Sequence, residues 1–170
     1  MEFLDTLEQY AQGGSVAATA HAGLHFDEVA AQAPQEVMGG AIAAALKGGA
    51  GASFASSVEQ LFGSSDPGQK AGVLTHLIQA VEPAVLSSVA GGALARLLPG
   101  VSGGASPTPQ AAQAVTPVQA GELAAAAEQR DPGVIDRVGS FYAQHPAVVK
   151  ALGAAALTIA VNHVAHRTQS

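Results

Sequence analysis

Six histidines are the side chains of this 170-residue chain best suited to hold a metal or move a proton near neutral pH, and two pairs are spaced for it. His21 with His25, at i and i+4, and His163 with His166, at i and i+3, can each bring two imidazoles to one helix face. A zinc hydrolase of the His-Glu-x-x-His type places a glutamate inside such a pair. Neither pair has one, although Asp27 and Glu28 follow His25. The spacing therefore predicts surface or terminal histidines. His76 falls between Leu74 and Leu77 and reads as a hydrogen-bonded histidine at a helix boundary, not as a general base.

Other chemistries lack their signatures. The carboxylates Asp27, Glu28, Glu122, Glu128 and Asp136 fall where solvated faces or helix starts explain them, and Asp66 and Asp131 precede prolines as helix caps. The serine pairs at 56–57, 64–65 and 87–88 include no Gly-x-Ser-x-Gly elbow. The glycine pairs match neither the phosphate-binding loop nor the dinucleotide fingerprint, so nucleotide binding has no support. With no cysteine there is no disulfide framework, thiol nucleophile or cysteine-ligated metal. We assign no catalytic, cofactor-binding or metal-binding residue and no cofactor. These readings favour a non-enzymatic protein, with a His-dependent metal enzyme the least favoured alternative.

Composition points to helices in close contact. The chain has 38 alanines and 20 glycines but only seven aromatic residues, so a sheet-rich fold is not expected. The net charge of −6 resides in residues 1–98, which hold nine acids and three bases, whereas residues 99–170 hold four of each. Such a balance repels phosphate and argues against nucleic-acid binding. The longest apolar runs, Pro83 to Leu98 and Ala151 to Val161, fall short of the roughly 20 residues of a membrane span. The acidic start Met1-Glu2-Phe3-Leu4-Asp5 does not resemble a secretory signal, and a cytoplasmic location is expected.

Hydrophobic periodicity gives an all-α fold of about eight short helices. Helices are expected over Glu2–Gln12, around Phe26 to Ala33, from Pro34 to Gly48, and from Phe54 to Phe62 with Phe54, Val58, Leu61 and Phe62 in the core. Asp66-Pro67 opens the next, with Leu74, Leu77, Ile78 and Val81 inward. A continuous helix is expected from Pro83 to Leu98. Residues 99–115, rich in Gly, Ser, Pro, Thr, Gln and Ala, predict a linker or surface loop between an N-terminal helical region, 1–98, and a C-terminal one, 116–170. The two regions are expected to pack as one domain. Thr116-Pro117 and Asp131-Pro132 open two further helices, and a last one runs from Pro146 toward His166.

The second half contains an echo of the first. Pro83, Ala84, Val85, Ala93 and Leu94 recur as Pro146, Ala147, Val148, Ala156 and Leu157 at a constant offset of 63, which predicts two pseudo-repeated helix-Pro-helix units packed together. Chance agreement in an alanine-rich chain is the competing explanation.

The run Leu61-Phe62-Gly63-Ser64-Ser65-Asp66-Pro67-Gly68-Gln69-Lys70-Ala71-Gly72-Val73-Leu74 resembles a YidB-like family of uncharacterised bacterial proteins. So do His25-Phe26-Asp27-Glu28-Val29 before it and Phe141-Tyr142-Ala143-Gln144-His145-Pro146 after it. The resemblance spans nearly the whole chain and implies an alanine-rich helical protein, with no catalytic residues to carry over.

The leading functional expectation is a homo-oligomer or helical assembly module. About 44 large apolar side chains serve 170 residues, while small-residue stripes at 41–46, 90–95, 124–127 and 151–156 offer smooth helix faces. The candidate assembly surface comprises Ala90, Ala93, Leu94, Ala154, Ala155 and Leu157. A competing reading is weak binding of lipid or an apolar ligand at a membrane surface. It is disfavoured because the segments from Pro83 and Pro146 carry only Arg96 and Lys150 as basic residues before their ends.

Overall fold

The computed structural model of the protein describes residues 22–48, 53–97, 100 and 105–168, and these are all-α, with no strand among them. The helices are α1 (Ala22–Gln32), α2 (Gln35–Gly48), α3 (Phe54–Ser64), α4 (Pro67–Gln79), α5 (Pro83–Ser88) and α6 (Ala93–Leu97). They continue with α7 (Pro109–Ala114), α8 (Pro117–Arg130), α9 (Val134–Ala143), α10 (Pro146–Val149) and α11 (Ala154–Thr168). The helix expected over Glu2–Gln12 lies outside the described residues.

Helix starts follow the local chemistry. Asp66 accepts a hydrogen bond from the Gln69 amide at 2.8 Å while Gln69 Oε1 accepts one from the Asp66 amide at 3.0 Å, and Pro67 occupies the first turn. Thr116, Pro117 and Gln119 repeat this reciprocal box at the start of α8, at 3.2 and 2.9 Å. Each box satisfies two backbone donors that a helix start leaves without intrahelical partners. Asp131 accepts from the Gly133 amide at 3.0 Å and pairs with Arg137 at 2.5 Å, fixing the turn into α9.

Two expected helices are broken. The segment after Pro83 does not run straight to Leu98: Ala90, Gly91 and Gly92 all take positive φ, at 53°, 64° and 82°, inside a short 3-10 turn between α5 and α6. The segment after Pro146 also passes through a 3-10 turn, Lys150–Leu152, and breaks at Gly153, with φ 86°. Ala90 and Gly153 are matching positions of the internal echo, so the similarity extends to where the backbone leaves the helix. Among the described residues the helices accordingly outnumber the eight or so expected.

The run expected as a loop is also corrected. Thr108 caps α7 through its side chain, with Pro109 in the first turn, and Ala112 and Val115 are buried. Alanine supplies the buried side of this helix, so no stripe of large residues announced it.

The chain divides into two compact units, residues 1–53 with 139–170 and residues 54–138, rather than at residues 99–115. In the first, α11 packs along α2 and α1, and Phe26, Ile42, Leu46 and Tyr142 are fully buried. One close crossing in this unit is glycine on glycine. A methyl group on Gly139 would lie 2.6 Å from the Gly39 carbonyl oxygen and 2.9 Å from the Ala43 amide nitrogen. In the second unit α8 lies along α3, and α4 packs on α7; Phe54, Val58, Leu61 and Phe62 are buried as their spacing predicted. No single described helix is long and apolar enough to cross a membrane.

Candidate functional site

Within the first unit, α2 and α11 leave a cleft of about 180 Å³ lined by Glu36, Val37, Gly40, His163 and Arg167. On α2, Glu36 lies one turn before Gly40; on α11, Arg167 lies one turn after His163. Gly40 lies beside the imidazole: a methyl group there would stand 3.4 Å from His163 Nε2, in ordinary van der Waals contact. Val37 adds the apolar part of the wall. Glu36 and Arg167 are exposed, whereas His163 is half-buried.

The electrostatics give these groups different roles. Burial, and then the positive charges of Arg167 and His166, hold His163 below the ordinary imidazole range. At neutral pH it is an uncharged ring with one donor and one acceptor nitrogen. Arg167 supplies a planar cation with several N–H donors, and Glu36 an acceptor-only anion. No ion pair joins Glu36 to Arg167 among the described residues. The cleft therefore presents a cation, an anion and a neutral imidazole to a small polar ligand.

The histidine pairs do not form double-imidazole sites. His21 lies outside the described residues, and His25 is half-buried on α1. His163 turns toward Gly40, while His166 is exposed and donates through Nδ1 to the Asn162 carbonyl oxygen at 2.7 Å. Among the described residues, no three or more His, Asp or Glu side chains gather where a metal ion could be held. His76 is half-buried on α4, and burial followed by the nearby Arg137 charge lowers its pKa. His145 lies against the Phe141 ring, with centroids 5.1 Å apart.

The candidate assembly residues scatter. Leu94 and Leu157 are buried, Ala90 and Ala93 are half-buried, and only Ala154 and Ala155 are exposed. The stripes at 41–46 and 124–127 turn inward as well: Ala41, Ile42, Ala45 and Leu46, and Ala124 and Ala127, are almost wholly covered by the chain itself. Sequence reasoning missed Glu36, Gly40 and Arg167. The i, i+4 spacing of Glu36 with Gly40 and of His163 with Arg167 was present, but nothing local links the two helices.

No family model, curated protein or solved structure matches the chain. The likeness to the YidB-like family rests on the sequence motifs alone.

Proposed function

We propose that the protein is a non-enzymatic assembly module that self-associates through the outer edge of α1 and the α10–α11 junction. The observation that carries this reading is the exposure of Leu24, at 69%, beside a self-complementary charge pair. Leu24 lies one turn before Asp27, and the Asp27 carboxylate pairs with Lys150 at the junction. Next to Lys150, Ala147, Ala151, Gly153, Ala154 and Ala155 are exposed and small enough for a neighbouring backbone to approach closely.

A second copy is the occupant this surface fits. A two-fold contact places a patch against itself, which requires it to be complementary to itself. One acid beside one base meets that condition, because Lys150 of each copy can reach Asp27 of the other. Elsewhere the net charge of −6 works against contact between copies.

Light scattering coupled to size exclusion, over about a hundredfold concentration range, tests the proposal. A concentration-dependent dimer is expected. Leu24→Glu and Ala155→Glu should each return it to monomer with helicity unchanged, and Lys150→Glu should weaken it until Asp27→Lys is added. A strict monomer throughout, or a dimer indifferent to both glutamates, would refute the proposal.

A further inference from the structure

We propose that the cleft between α2 and α11 binds a small zwitterion, a molecule carrying a carboxylate and an ammonium group a few bonds apart. The argument begins with the two charges at its mouth. Glu36 and Arg167 line one cavity without pairing with each other. A simple anion drawn to Arg167 meets Glu36, and a simple cation drawn to Glu36 meets Arg167. A ligand with both charges satisfies each wall and brings no net charge into the cleft.

His163 completes the selection. An imidazole held neutral by burial and by two cationic neighbours adds a hydrogen-bonding group at the cleft's inner wall without adding a third charge. The size of the cleft suits a small ligand. About 180 Å³ holds roughly six waters, which is space for an amino acid with a short side chain. Gly40 lines the same space, and a Cβ there would stand 3.4 Å from His163 Nε2, in ordinary van der Waals contact.

The contacts are exposed at the mouth, so affinity is set by preference between ligands rather than by tight binding. An exposed ion pair contributes up to about a fivefold gain, and the zwitterion has one more such pair than either of its halves. The probes are glycine, β-alanine and γ-aminobutyrate, compared with acetate, methylammonium and inorganic phosphate. The readout is the imidazole resonances of His163, with His145, outside the cleft lining, as the internal control.

Saturable shifts at His163 are expected, with one zwitterion binding up to about fivefold tighter than acetate or methylammonium. Arg167→Gln and Glu36→Gln should each reduce that ligand to the level of its halves. Circular dichroism and the unshifted His145 resonances report that the fold is intact. The proposal is overturned by unmoved His163 resonances, by acetate or phosphate binding as tightly as every zwitterion, or by indifference to both charge-removing substitutions.

Discussion

Adding one methyl group at Gly139 tests the packing of the first unit directly. Gly139 lies within α9, and a Cβ built on it meets backbone at two points, the Gly39 carbonyl oxygen at 2.6 Å and the Ala43 amide nitrogen at 2.9 Å, and the Ala43 Cβ at 3.1 Å. An ordinary carbon–oxygen contact is about 3.3 Å or longer, so α2 and α9 must separate by roughly 0.7 Å. Overpacking of this kind costs about 1–3 kcal/mol, and alanine returns up to about 1 kcal/mol in helix propensity. Gly139→Ala is therefore expected to destabilise the protein by up to about 2 kcal/mol, with the closest contacts, against backbone, setting the value toward that end. Gly121→Ala provides the contrast. The three atoms nearest its Cβ all belong to the Glu59 side chain, from 2.4 Å, and a change of rotamer moves that side chain away. Gain and cost then nearly cancel, within about 1 kcal/mol. Urea unfolding followed by far-ultraviolet circular dichroism compares the two. A Gly139→Ala variant as stable as the parent, or less affected than Gly121→Ala, would refute the close-crossing argument.

Three further outcomes follow from local chemistry. Ala90 has φ 53°, where a Cβ costs about 1–2 kcal/mol. Ala90→Gly is therefore expected to be neutral or stabilising by up to about 1 kcal/mol after the unfolded-state entropy is counted, whereas Ala124→Gly inside α8 should lose at least about 1 kcal/mol in the same urea titration. Asp66→Ala removes the side-chain half of a capping box and should cost about 0.5–2 kcal/mol in thermal or urea unfolding. His76 and His163 have pKa values lowered from the ordinary 6.5 by burial first, with Arg137 adding to it at His76 and Arg167 and His166 at His163. Above that value both imidazoles are neutral in either state and their contribution is fully present. As pH falls below it the unfolded chain takes up protons first, and stability declines until the folded histidines titrate. Unfolding midpoints measured against pH should show this decline, with a shallower slope when both are replaced by Gln.

Short-range effects in this chain were legible because they act within a turn of helix. Asp66, Pro67 and Gln69, or Thr116, Pro117 and Gln119, satisfy one another over three residues, and the stripe of Phe54, Val58, Leu61 and Phe62 needs only a partner surface to become core. The all-α class follows from such segments. Tertiary structure decided the rest. Alanine and glycine fit both an exposed face and a close helix contact, so their positions alone did not reveal that 41–46 and 124–127 turn inward while Ala154 and Ala155 stay outside. The same ambiguity hid α7 within an apparent linker. It also hid the break at Ala90, where an alanine takes a backbone conformation usually left to glycine. The cleft was out of reach for a different reason. Glu36 and Gly40 share a face of α2, and His163 and Arg167 share a face of α11, but only the packing of those two helices brings an acid, a base and a neutral imidazole around one space.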